Sequence, residues 1–230
     1  MIKSILFDFN GVIVDDEPLH MKAYQETFAG QDIDLTQEKY MALLGADDRT
    51  FVEETFRREG RAFTEDQVAE VRSAKAMKYR ELISGEVPLF PGAENFVRSC
   101  ANYFPLAIVS MAPLAEIEDI LTRANLRHCF SFIISADDVD KPKPDPRCYK
   151  LGFTAMDKFR GTLGKTPMTD GECLAIEDSP PGVAAARGAA LKTLAITNTV
   201  SADLLRAAGA DLVTHTLEDW TPMSVEGAFR

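Results

Sequence analysis

Apolar residues along this 230-residue chain fall into two rhythms. Short runs at 2–7, 106–109, 132–135, 173–176, 193–197 and 211–213 are apolar, partly β-branched and mostly continuous rather than alternating. Continuous apolar runs of this length predict strands buried on both faces. Between the later runs, apolar positions recur at helical spacing, at about 114–124, 144–156, 180–188 and 201–208. Strands that alternate with helices in this way predict an α/β fold, a parallel sheet with helices on both sides.

The stretch from 16 to 86 has a different pattern, with helical spacing and no convincing strand. Asp16 followed by Pro18 predicts a helix start, with Leu19, Ala23, Tyr24 and Phe28 as its apolar positions. Phe51, Val52, Thr55 and Phe56 form a second apolar face that Gly60 ends. Thr64 with Gln67 has the form of a capping box ahead of Val68, Val71 and Ala74. The expected organisation is a core built from 1–15 and 87–230, with a helical module at 16–86 inserted after the first strand. The turn-forming run Gly85-Glu-Val-Pro-Leu-Phe-Pro-Gly92 would carry the chain back.

Charge narrows the partners. The net charge is −11, and residues 15–86 hold 17 acidic against 10 basic side chains. Nucleic-acid backbones and anionic membranes are bound through Lys and Arg, so such partners are disfavoured. A small phosphorylated molecule stays compatible, given local cations in a cleft. The opening MIKSILFDF is too short an apolar run for a signal peptide, and no run nears the roughly 20 residues that span a bilayer. A cytoplasmic address is therefore expected by default. Cys100, Cys129, Cys148 and Cys173 are scattered without a CxxC pair, which predicts buried or incidental thiols, not zinc ligands or a disulfide frame. No coiled-coil pattern suggests an oligomer, so a monomer is expected.

Four sites of potential chemistry fall at predicted strand ends. Asp8 closes the first strand and is followed by Asn10-Gly11, which alone reads as an Asx-Gly turn. Ser110 closes the second core strand before a helix expected near Pro113. A hydroxyl and free amides there suit a phosphate oxygen, or the residue is a plain helix-entry serine. Lys141 lies in Asp140-Lys-Pro-Lys-Pro-Asp145, where prolines on either side of Lys143 stiffen the loop. Lys141 could neutralise a transferring phosphoryl group or be a solvated surface cation. Glu177 and Asp178 end the fourth strand. Two adjacent carboxylates after an apolar run call for a cation or for hydrogen-bond donors. Mg²⁺ takes such oxygens, while a helix N-cap at Asp178 or Ser179 is the simpler alternative.

Taken together and in this order, the segments resemble the haloacid dehalogenase superfamily over nearly the whole chain. FDFNGVIVDDEPLH at 7–20 is similar to its first motif, IVS ending at Ser110 to the second, Lys141-Pro-Lys-Pro-Asp to the third, and IEDSPPG at 176–182 to the fourth. The nearest likeness is to the subgroup holding β-phosphoglucomutase and phosphoglycolate-type phosphatases. The resemblance implies a Rossmann-like core with a helical cap, and Asp8 as a nucleophile that forms an aspartyl-phosphate. It implies that Ser110 and Lys141 grip the phosphoryl group. Mg²⁺ would be held by Asp8, the backbone carbonyl of Asn10, Glu177 and Asp178. Gly11, Asp16, Glu17 and Arg49 join Ser110 and Lys141 as expected substrate contacts. His20 matches a position that assists proton transfer in mutase-like relatives. The cap, not the core, is expected to choose the substrate.

One position departs from the family pattern. Its phosphatases and mutases place a second aspartate two residues after the nucleophile, as general acid and base, and here that residue is Asn10. A carboxamide cannot exchange a proton near neutral pH. Three readings stay open: Asp16, Glu17 or His20 supplies the proton, Asn10 is an introduced inactivating change, or the chain kept binding and lost turnover. The expected activity is a Mg²⁺-dependent phosphatase acting on a small phosphate monoester. A sugar phosphomutase and a catalytically impaired phosphometabolite-binding protein are the alternatives.

Overall fold

The computed structural model describes residues 1–44 and 46–230. The chain divides into two compact units, Met1–Asp15 with Leu89–Arg230, and Asp16–Pro88.

The first unit begins with β1 (Ser4–Phe7). The second unit follows, with α1 (Glu17–Ala29), α2 (Gln37–Met41), α3 (Asp48–Arg58) and α4 (Glu65–Leu82). The first unit then resumes with α5 (Ala93–Ala101), β2 (Leu106–Val109), α6 (Leu114–Arg123), β3 (Phe130–Ile134), α7 (Arg147–Thr162), β4 (Cys173–Glu177), α8 (Pro180–Gly188), β5 (Lys192–Ile196), α9 (Ala202–Ala208), β6 (Leu212–Thr214) and α10 (Pro222–Ala228).

Its six strands form one sheet in the order β3-β2-β1-β4-β5-β6, and every pairing is parallel. All six apolar runs of the sequence are strands, with edges shifted by up to two residues. β3 starts earlier than its run suggests because Phe130 already pairs with Leu106. The residues of β1, β2 and β4 are wholly buried, as their unbroken apolar character requires. Ile5, Leu6 and Phe7 sit at the centre of this core. Helices α5 and α10 escape the periodicity reading. The first follows Gly92 in a left-handed conformation with no side-chain cap, and the second is only seven residues long.

Strand order matters for function. Successive strands run outward from β1 to β2 and β3, and then, from β4, in the opposite direction. The reversal lies between β1 and β4, and a parallel sheet opens a crevice at the carboxyl ends of the strands flanking such a reversal. Asp8 and Asp178 are the residues that leave those two strands.

In the second unit, the capping box at Thr64 and Gln67 is formed in both directions at the start of α4. An aromatic core holds the helices, with Tyr24 stacked on Phe51 at 4.1 Å between centroids. Lys75 is buried here and paired with Asp48 at 3.1 Å, while Tyr24 Oη donates to the same carboxylate at 2.6 Å. Burial alone would raise the Asp48 pKa, but the Lys75 charge and the Tyr24 hydroxyl outweigh it and hold the group below its ordinary value. No helix among the described residues is long and apolar enough to cross a membrane, and all four cysteines are buried and free.

Candidate active site

The backbone of Asp8 is stitched to the neighbouring strand, its N–H donating to Ile176 O at 2.9 Å. This fixes the residue at the crevice, with its side chain largely buried. The chain then turns at Gly11, whose φ of +76° is a conformation that glycine adopts without strain. The Asx-Gly turn is therefore real, and it leaves the Asp8 carboxylate facing the other groups of the site. Asn10 is half-buried and bridges to Val14.

The cation beside Asp8 is Lys143. Its ammonium lies 3.0 Å from Asp8 Oδ1 and 2.7 Å from Glu177 Oε1, and it donates to Val109 O at 3.1 Å. Lys141, the lysine assigned by motif resemblance, is exposed. That assignment is corrected by two residues. The run Lys141-Pro-Lys-Pro-Asp-Pro contains two overlapping Lys-Pro-x-Pro frames, and the fold buries the lysine of the second. A buried ammonium needs carboxylates to compensate it, and Asp8 and Glu177 provide them at Lys143. Tyr149, on the first turns of α7, adds to this pocket. Its hydroxyl donates to Glu177 Oε1 at 2.7 Å, and its ring lies 5.1 Å from the ammonium.

Ser110 leaves β2 fully buried, with its N–H on Ile134 O and its Oγ accepting from Ala112 N at 3.1 Å. It follows Val109, whose carbonyl Lys143 holds, so the β2 end and the ammonium are tied together. The N-cap of α6 is Pro113, not Ser110.

At the end of β4, Glu177 is fully buried, and its Oε2 lies 3.3 Å from both the Asp178 amide and the Ser179 hydroxyl. The side chain fits only because residue 182 is glycine, since a Cβ there would overlap the Glu177 carboxylate. Ser179 is the N-cap of α8, accepting from Gly182 N at 3.3 Å, and this frees Asp178 from capping. Asp178 instead accepts a hydrogen bond from Thr199 Oγ1. Asn198 Nδ2 donates to Gly11 O at 2.8 Å. Both residues lie in the loop after β5, and neither has a pattern that sequence reading could single out. Gly11 provides a gap at this point, because a Cβ at that position would overlap the Asp178 carboxylate.

The remaining candidates belong to the second unit. Asp16 is fully buried, accepts from Tyr79 Oη and lies 3.3 Å from His20 Nε2. The His20 ring stacks on Tyr79 at 4.1 Å. Glu17 accepts from Tyr40 Oη. Arg49 lies in the first turn of α3, exposed, with Glu53 at 2.8 Å and Glu65 at 2.7 Å. Gly45, which opens the Gly-Ala-Asp-Asp run before Arg49, is outside the described residues.

In the first unit, carboxylate oxygens of Asp8, Glu177 and Asp178 lie within 4.8 Å of one another. Burial and the nearby Glu177 charge push the Asp8 pKa up to about 6, even though Lys143 pulls it down. Burial, with Asp8 and Glu177, pushes Asp178 well above the ordinary range. Burial would strip Lys143 of its proton, but the same carboxylates keep it charged. Were all three carboxylates ionised, the one ammonium would leave two negative charges uncompensated in a site almost closed to water, and the raised Asp8 and Asp178 pKa values express that cost. That is the environment a hard divalent cation relieves, and oxygen donors at this spacing are what Mg²⁺ takes. The donor set therefore fits the ion.

The haloacid dehalogenase-like hydrolase family model matches residues 2–190. A CbbY protein of Rhodobacter capsulatus is 32% identical over 205 residues, covering 84% of each chain. Hexitol phosphatase B of Escherichia coli is 27% identical over 229 residues, 98% of this chain and 97% of that one. Among solved structures, an aspartate-to-asparagine variant of CbbY from Rhodobacter sphaeroides, in complex with xylulose-1,5-bisphosphate, superposes with a TM-score of 0.80. It is 26% identical, over 95% of this chain and 96% of that one. Strand order, the carboxylate cluster and these likenesses agree, and the chain belongs to the haloacid dehalogenase-like hydrolases.

Proposed function

We propose that this protein is a Mg²⁺-dependent phosphatase that hydrolyses the monoester of a small phosphorylated sugar or sugar alcohol through a covalent phosphoenzyme on Asp8. The observation that carries the reading is the placement of Asp8, buried between the Lys143 ammonium and the Glu177 and Asp178 carboxylates at the sheet's reversal. With a pKa of about 6, Asp8 is largely ionised at neutral pH, as an attacking carboxylate must be. The substrate class rests on the hexitol phosphatase relative and on the bisphosphorylated pentulose bound by the CbbY variant.

In the first step an Asp8 oxygen bonds to phosphorus, and the ester P–O bond breaks. The departing alkoxide takes a proton. Water then attacks phosphorus, loses its proton and releases inorganic phosphate, which restores the carboxylate. Lys143 fixes one Asp8 oxygen and supplies positive charge where the phosphoryl oxygens gather. Ser110, at the end of β2, offers its hydroxyl as a donor to the same group. Asp8, Glu177, Asp178 and the carbonyl of Asn10 are the groups that would hold Mg²⁺, which would offset the negative charge of the phosphate and carboxylates.

Asn10 cannot move a proton. We assign that role to His20, whose ring is paired with buried Asp16 in the arrangement that holds a histidine for acid–base work. The alternative, a protein that binds phosphometabolites without turnover, is favoured by the Asn10 carboxamide alone. One experiment separates them. The protein is incubated with Mg²⁺ and a panel of sugar and hexitol phosphates, and released phosphate is measured beside acid-quenched phosphoenzyme. Turnover lost in Asp8→Asn supports the phosphatase. Binding with no phosphate released over hours overturns it.

A further inference from the structure

The four sequence motifs account for β1, β2, the loop after β3, and β4. A fifth segment, the loop after β5, also enters the site. Its first residue is anchored to β6, with Thr197 N–H donating to Thr214 O at 3.0 Å and Thr197 Oγ1 lying 2.8 Å from His215 Nδ1. The next two residues turn toward the carboxylates. Asn198 Nδ2 donates to the carbonyl of Gly11, on the loop that carries Asp8 and Asn10. Thr199 Oγ1 donates to Oδ2 of Asp178. The arrangement is closely packed, because a Cβ on residue 11 would lie 2.9 Å from Thr199 Oγ1 and overlap Asp178.

A carboxylate has two oxygens and one free torsion that decides which of them faces the cluster. A hydroxyl bound to one oxygen fixes that torsion and presents the other. We propose that Thr199, seated by Asn198, is a positioning residue for divalent-cation binding, holding Oδ2 of Asp178 and so leaving Oδ1 as the oxygen it would offer to a cation. The inference rests on the Mg²⁺-dependent reading above. Partners that orient a metal ligand from outside typically change affinity about 10–100-fold when removed. The side chain itself need not touch substrate.

The test is calorimetric titration of the metal-free protein with Mg²⁺ alone, in wild type, Thr199→Val and Thr199→Ser. Valine keeps the shape and removes the hydroxyl, while serine keeps the hydroxyl. The expected result is a dissociation constant raised about 10–100-fold in Thr199→Val and within about threefold of wild type in Thr199→Ser. At saturating Mg²⁺, kcat of Thr199→Val returns to near wild type while its half-activating Mg²⁺ concentration rises in step with the dissociation constant. Melting in EDTA checks that both variants fold. Unchanged Mg²⁺ affinity in Thr199→Val overturns the positioning role, and so does a serine variant as weak as the valine one. A wild-type protein that binds no Mg²⁺ overturns the metal-dependent reading itself, and this inference with it.

Discussion

Replacing Lys143 with methionine removes one charge and little volume, and it tests the electrostatics of the site directly. At 2.7 Å and 3.0 Å from Glu177 and Asp8, each contact has a gross attraction of about 6 kcal/mol at an effective dielectric constant of about 20. Desolvation of the ammonium opposes that gain, so the net loss is smaller. Breaking a buried pair by removing one partner typically destabilises by about 3–5 kcal/mol, because the remaining carboxylates stay buried without compensation. For a chain of this size each kcal/mol moves the melting temperature by roughly 2–4 °C, so Lys143→Met should melt about 6–20 °C below wild type in EDTA. Lys141→Ala, on an exposed side chain, should change stability by no more than about 0.5 kcal/mol. The pH dependence has a definite sign. Without Lys143, the folded-state pKa of Asp8 rises further above its unfolded value, so the folded state binds protons more readily and the deficit shrinks as pH falls from 7 toward 5. Turnover should fall about 10²–10³-fold in Lys143→Met, as when one stabilising donor is removed from a transition state, and stay near wild type in Lys141→Ala. Differential scanning fluorimetry and phosphate release read both quantities. If Lys141→Ala lost as much stability and rate as Lys143→Met, the placement of the catalytic cation would be wrong.

Other outcomes follow from the same geometry. EDTA should abolish phosphate release and Mg²⁺ should restore it, and a Mg²⁺ concentration 100 times the dissociation constant should stabilise the fold by about 2.7 kcal/mol; an unchanged melting curve would count against the cluster as a cation site. Asn10→Asp should raise turnover less than about tenfold if His20 already moves the proton, whereas a gain of several hundredfold, within the roughly 10²–10⁴ that general acid–base catalysis provides, would remove His20 from that role. Asp48 has a depressed folded pKa, so its pairing with Lys75 stabilises above the ordinary aspartate pKa and is lost as pH falls through the folded value. Denaturant titrations of wild type and Asp48→Asn should therefore differ at pH 7 and converge as the pH is lowered below about 4. Gly182→Ala should lower stability by about 1–3 kcal/mol through overlap with Glu177, and an unchanged midpoint would show that the carboxylate has room to move.

The fold is legible in the chain because its central strands have no exposed face, so an unbroken apolar run is the only pattern they can carry. The ends of those runs then point to Asp8, Ser110, Glu177 and Asp178. What stays hidden depends on contacts between distant residues. Two overlapping Lys-Pro-x-Pro frames look equivalent until burial chooses Lys143, and Tyr149, which hydrogen-bonds Glu177, is the cue that favours the second frame. Asn198 and Thr199 are ordinary loop residues until β5 delivers them to Gly11 and Asp178. Asp16 and Tyr79 are 63 positions apart, and nothing in either neighbourhood announces their hydrogen bond.

Val14 and Leu89 pair as antiparallel neighbours, and Phe90 N–H donates to Ile13 O at 3.0 Å. The chain therefore leaves the sheet unit and re-enters it through adjacent doorways. Residues facing each other across such a pair stand only about 5 Å apart, so whatever is spliced between them starts and finishes at nearly the same point. An ancestor could have exchanged residues 16–88 for a shorter, longer or unrelated module without re-registering one strand pair. The half that carries Asp8, Ser110, Lys143, Glu177 and Asp178 could then be inherited intact while new inserts were tried on it.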